Sequence, residues 1–145
     1  MALQMTPEER EAFLADVHVG VISIDQPGRA PLAVPIWYDF DPAIGVWVIT
    51  SPSSIKGRLL EAAGRYAICA QVETGLYKYV SVEGAISSTR GADLEKDLRP
   101  MARRYFGEEM GDQYVASSGN DPGRVYTMQP ERWLTVDYAK MASGG

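Results

Sequence analysis

The chain has 145 residues, 46% of them hydrophobic, which is one domain's length and enough apolar side chain to fill one core without metals or disulfides. A formal net charge of -5 argues against a protein whose main task is to grip a polyanionic nucleic-acid backbone, and a single cysteine excludes an internal disulfide or a cysteine metal cluster. No apolar run approaches the roughly 20 residues of a membrane span, and residues 1–5 lack the basic flank and apolar core of a signal peptide, so a soluble cytoplasmic protein with no nucleic-acid or membrane partner is expected.

The first predicted element is a short helix. Thr6 can cap it, Pro7 suits its first position, Glu9 completes a capping box, and Phe13, Leu14 and Val17 have the spacing of one buried face up to about Asp16. Residues 20–24 then read as a strand, ended by the turn Asp25-Gln26-Pro27-Gly28. Residues 32–40 and 45–50 read as two more strands that complete a meander with the first. Ser51-Pro52-Ser53-Ser54 launches a helix through Lys56, Leu59, Leu60 and Ala63, which Gly64 stops.

Residues 66–72 and 77–87 predict a hairpin around Glu73-Thr74-Gly75. In its second arm Tyr77, Tyr79, Ser81 and Glu83 share one face, Lys78, Val80 and Val82 the other, and Gly84 marks a bulge or bend. Helical spacing returns from Asp93 to about Ala116 through Leu94, Leu98, Met101, Tyr105 and Phe106, with Pro100 expected to break or restart it, and two or three short helices are expected. After a loop at 117–123, residues 124–138 supply a last strand or pair of strands interrupted near Pro130, and 139–145 a loosely held tail. Six extended segments with few helices, in one domain whose ordered core spans about 6–138, predict a mainly β fold with peripheral helices, closed into a barrel.

Chemistry concentrates in Thr50-Ser51-Pro52-Ser53-Ser54-Ile55-Lys56, which places hydroxyls, free N–H groups and a lysine at a helix start. That combination makes either an anion site or a plain serine cap with a solvent-exposed lysine. Catalytic parts are otherwise scarce. The single histidine, His18, has no second histidine to share a metal with and reads as structural, and Cys69, set in an apolar run, reads as a buried thiol. No Gly-x-Ser-x-Gly elbow, P-loop or His-Glu-x-x-His motif occurs. Hydride transfer tolerates such poverty, because a cofactor does the electronic work. Trp37, Tyr38, Tyr79 and Trp133 would then line a cleft for a flat ring system, or else serve packing or a subunit interface.

The order of features resembles the flavin-binding split-barrel family related to pyridoxamine 5'-phosphate oxidase. The resemblance rests on the entry helix leading into Val19-Gly20-Val21-Ile22-Ser23-Ile24, on Pro35-Ile36-Trp37-Tyr38-Asp39-Phe40-Asp41, on Val46-Trp47-Val48-Ile49-Thr50 followed by Lys56, and on Tyr79-Val80-Ser81-Val82-Glu83-Gly84. It implies a six-stranded split β-barrel of the FMN-binding type, a phosphate-bearing cofactor on Thr50, Ser51, Pro52, Ser53, Ser54 and Lys56, and a homodimer whose two interface sites borrow Tyr79 and Trp133 from the partner. Trp37-Tyr38 and the segment 132–140 are more similar to the deazaflavin branch, which implies coenzyme F420, with FMN as the alternative. A reductase of small organic substrates is implied, with Trp37 and Tyr38 shaping the substrate side and Tyr38 or solvent supplying a proton. A flavin or deazaflavin carrier or sensor without turnover is the competing expectation. The arginine- and histidine-bearing C-terminal segment of the vitamin-making oxidases is absent, so vitamin B6 synthesis is not implied.

Overall fold

A computed structural model describes residues 2–143. Helix α1 (Pro7–Ala15) begins as predicted, with the Thr6 hydroxyl accepting from Glu9 N and the Glu9 carboxylate accepting from Thr6 N. It buries Phe13 and Leu14, whereas Val17 lies past the helix end and is exposed. Eight strands follow: β1 (Gly20–Ile24), β2 (Leu32–Ile36), β3 (Asp39–Asp41), β4 (Gly45–Thr50), β5 (Arg65–Val72), β6 (Lys78–Gly91), β7 (Arg124–Met128) and β8 (Arg132–Asp137). They form an antiparallel sheet in the order β2-β1-β5-β6-β7-β4-β3, with β8 also paired to β6. The sheet curls into a half-barrel flanked by helices.

The eight strands are the six predicted segments, two of them divided. Residues 124–138 separate into β7 and β8 around Pro130, as their turn chemistry suggested. Residues 32–40 separate at Trp37-Tyr38, and this corrects the expected meander: β2 pairs with β1, whereas β3 pairs with β4. The two ends of the sheet order are therefore consecutive in the chain. Long strand β6 spans both halves, pairing along one edge first with β8 and then with β7. Its register shift falls between Ile86 and Ser88, not at Gly84. Gly84 answers a different need, since a Cβ there would lie 1.8 Å from the Gln129 carbonyl oxygen.

Helix α2 (Ile55–Ala63) ends on Gly64, whose φ of 69° suits the left-handed cap. A five-residue π-helix (Leu94–Leu98) runs into α3 (Arg99–Ser117). Pro100 sits in the first turn of α3, where its missing N–H is no loss, and so restarts the helix, one of the two outcomes expected of it. The break lies at Gly107, with φ 82°, and folds the second half of α3 back until Gly111 packs on the Arg103 backbone. Arg99 and Arg103 both bond the Asp112 carboxylate, at 2.7 to 2.9 Å, and staple the two halves together. The expected loose tail is instead helix α4 (Ala139–Ser143), tethered where the Lys140 ammonium donates to Gln4 O at 2.9 Å and to the Glu9 carboxylate at 2.6 Å. Gly144 and Gly145 lie outside the described residues.

The core lies inside the curled sheet, where Ile22, Ile68, Val80 and Val82 from one half meet Val46, Val48, Tyr126 and Met128 from the other. Tyr66 on β5 reaches across it, its hydroxyl 2.9 Å from Tyr126 O and 3.1 Å from Val46 O. One hydroxyl proton serves two carbonyls of the opposite half. Tyr66→Phe should leave the fold intact and lower unfolding free energy by about 1 kcal/mol, read by chemical denaturation.

Candidate functional site

The crossover at Trp37-Tyr38 leaves peptide groups without a ladder, and α3 supplies their partners. Tyr38 N donates to the Tyr105 hydroxyl at 3.0 Å, and Tyr38 O accepts from that hydroxyl at 2.9 Å and from Arg104 Nε at 3.2 Å. Arg104 also donates to Ala15 O and Asp16 O and pairs with Asp39, while the Tyr105 hydroxyl reaches His18 O at 2.6 Å. His18 stacks on Phe13 and places Nε2 3.0 Å from Phe13 O, and burial holds its pKa below the usual value. It is structural, as expected.

Because β3 covers only residues 45–47 of β4, the outer edges of β2 and of residues 48–50 face each other without a strand partner among the described residues. A cleft of about 630 Å³ opens in this seam, within the range of small-molecule sites. Val19, Pro35, Ile36 and Trp37 form one wall, and Ile49, Thr50, Ser51 and Lys56 the opposite one. Leu98, Met101, Tyr114 and Ser118 from the helices and the loop Asp121-Pro122-Gly123 close the remainder.

The start of α2 is wired closely. The Ser54 hydroxyl donates to Ser51 O at 2.6 Å and accepts from Gly57 N at 3.0 Å, so Ser54 is the cap and its proton is committed. The Thr50 hydroxyl, 3.2 Å away, must then donate to Ser54. Ser51 and Ser53 share a hydroxyl contact of 2.9 Å, which leaves one proton of that pair free. The N–H groups of Ile55 and Lys56 have no partner among the described residues, and the half-buried Lys56 has no ion-pair partner there. The predicted anion segment thus contributes Thr50, Ser51 and Lys56 to the cleft, while Pro52, Ser53 and Ser54 serve the cap loop. Asp121 adds a carboxylate to the cleft lining from the loop that approaches Thr50 O, its Oδ1 accepting from Gly123 N at 3.0 Å.

One aromatic expectation is corrected and a second residue is placed. Tyr38 is fully buried and its hydroxyl donates to Leu14 O at 2.8 Å, while desolvation raises its pKa well above that of free tyrosine; it shapes no substrate surface and has no proton to give. Trp133 pairs with Val82 and packs inward against its own core, edge-on to Phe40 and under the Arg10 guanidinium, and does not line the cleft of its own chain. Trp37 reaches the cleft and also anchors α3, stacked on Tyr105 at 5.2 Å and packed against Leu98, Ala102 and Val115. Tyr79 lies on the outward sheet face, away from the cleft of its own chain. Cys69 is half-buried on that face, its thiol pKa raised by burial.

Sequence reasoning missed Tyr114, Met101 and Asp121 as site residues. Nothing local marks them, since α3 and the following loop reach the seam only through the fold. Among the described residues no cluster of three or more His, Cys, Asp or Glu side chains could hold a metal, and no helix is long and apolar enough to cross a membrane.

The sequence matches the family described as pyridoxamine 5'-phosphate oxidase over residues 6–137. No curated protein matches it. Among solved structures, a conserved hypothetical protein from Mycobacterium tuberculosis superposes with a TM-score of 0.78 at 20% identity, covering 97% of this chain and 90% of that one. An F420 reductase superposes at 0.61 and 16% identity, covering 89% and 98%, and an FAD-binding protein from Mesorhizobium loti at 0.63 and 16%, covering 92% and 96%. The shared architecture is the split barrel.

Gly57 makes the closest backbone approach of the site, a Cβ there falling 2.0 Å from Ser51 O. Gly57→Ala should push the cap loop off α2 and lower stability by about 2 kcal/mol, read by thermal unfolding.

Proposed function

The chain belongs to the pyridoxamine 5'-phosphate oxidase family, and from that premise we propose that it is a cytoplasmic F420-dependent oxidoreductase acting on a small organic substrate. One observation carries the reading: in the seam of the barrel, an unpaired lysine and the free N–H groups of a helix start share a cleft with an apolar wall. The donor set fits a phosphate. Lys56 supplies a full charge, Ile55 N and Lys56 N add the partial positive charge of the helix end, and the free proton of the Ser51–Ser53 pair can complete the contact. When bound, the reduced deazaflavin ring supplies hydride chemistry. Ile36, Ile49, Leu98 and Met101 exclude water from that side, and Gly123 lets the loop approach Thr50 O closely. The structural similarity to an F420 reductase supports the choice of coenzyme. A single lysine suits one phosphate, which FMN also carries, and the similarity to an FAD-binding protein supports that alternative.

A homodimer belongs to the same proposal. Pro35, Val21, Cys69, Ser81 and Leu134 are register partners in one row across five strands on the outward sheet face. Val21 and Leu134 are exposed, as is Val19, which with Pro35 also lines the cleft. A second copy seated on this row would cover the apolar face and bring its Tyr79 toward the seam.

Titration with each cofactor, followed by absorbance and fluorescence, should show F420 bound more tightly than FMN. FMN binding alone would replace the coenzyme, and binding of neither would refute the reading. Oxidation of the reduced cofactor should depend on an added enone, quinone or nitroaromatic; tight binding without such turnover would mark a carrier. Lys56→Ala should weaken cofactor binding by about 1.5 to 3 kcal/mol with the melting temperature unchanged. Leu134→Glu should convert dimer to monomer in sedimentation.

A further inference from the structure

We infer that Tyr114 determines substrate specificity by donating a hydrogen bond to a carbonyl oxygen of a flat, uncharged, conjugated substrate; this rests on the oxidoreductase reading above. Tyr114 lines the cleft and is 40% exposed. Its hydroxyl has no partner among the described residues, and of the tyrosines without one (Tyr77, Tyr79, Tyr114 and Tyr138) it alone lines this cleft, while the hydroxyls of Tyr38, Tyr66, Tyr105 and Tyr126 donate within the chain. Around it, Ile36, Ile49, Leu98 and Met101 offer no side-chain donor. An acceptor oxygen entering this side therefore meets the Tyr114 phenol, and a site that hydrogen-bonds its substrate's oxygen rejects analogues that lack it. The polarisable Met101 and the rings of Trp37 and Tyr114 favour a flat conjugated body, and the apolar side chains of Ile36, Ile49 and Leu98 disfavour an anionic one.

The phenol is held ready. Gly107 turns the second half of α3 back over the seam, and Asp112, two residues before Tyr114, is gripped by Arg99 and Arg103. These bonds keep the Asp112 carboxyl at a pKa of about 2, so the grip persists across the working pH range. The Tyr114 ring also packs at 5.2 Å from Trp37 and 6.0 Å from Phe106. Little ordering is left for binding to impose.

Equilibrium dialysis of the full chain with menadione and with methylnaphthalene, the same bicyclic body without its oxygens, tests this. Tyr114→Phe should weaken menadione by about fivefold, the scale of one neutral hydrogen bond, and leave methylnaphthalene and cofactor affinity unchanged. Equal menadione affinity in the two proteins would overturn the assignment, as would absence of menadione binding to the natural chain. A matching loss for methylnaphthalene would show a disturbed wall and also overturn it. Because dialysis runs without cofactor, failure of the cofactor titration would remove the oxidoreductase reading while these affinities still stood or fell on their own.

Discussion

The peptide of Tyr38 has no neighbouring strand, and the side chains of Tyr105 and Arg104 take the strand's place. A buried N–H or C=O left unpaired costs as much as a lost hydrogen bond or more, so a chain that leaves one half of a sheet for the other at this point needs donors and acceptors brought from elsewhere. Tyr105 does both through one hydroxyl, and Arg104 joins the same carbonyl to the end of α1 and to Asp39. Tyr38 itself is locked to Leu14 O in the core. The crossover is thus fixed from both sides, and the seam it leaves between β2 and β4 stays open.

The cleft follows from that fixed crossover. Its floor is the edge of two strands that do not meet, its apolar wall is α3 resting on Trp37, and its polar wall is the cap loop of α2, placed there because α2 follows β4 after four residues. The cap loop shows the same economy of donors. Ser54 and Thr50 spend their protons on holding the loop, which leaves Lys56, two backbone N–H groups and one proton of the Ser51–Ser53 pair facing outward. The donors used for helix capping and the donors left free sit on neighbouring atoms but not on the same ones.

The elements most legible in the sequence were those governed by neighbours along the chain. The capping box at Thr6, the cap and stop of α2, and the alternation in β6 each depend on contacts within a few residues or on a period of two, and each stands in the structure where the sequence placed it. Pro100 and the long segment 32–40 were less legible for one shared reason. A proline is compatible with either the end or the first turn of a helix, and a continuous β-prone run carries no mark of the residue at which it changes partners. That residue was decided by Tyr105 and Arg104, more than sixty positions away.

Taken alone, the sequence determined a mainly β barrel with a helix start rich in hydroxyls and N–H donors beside a lysine, because hydrophobic period, turn chemistry and caps are short-range properties. It also placed Trp37 and Lys56 at the site. Only the tertiary structure decided that Tyr38 and Trp133 belong to the core while Tyr114, Met101 and Asp121 belong to the cleft. The direction in which an aromatic side chain points is set by strand register and by what packs against it from distant elements, and no local pattern encodes either.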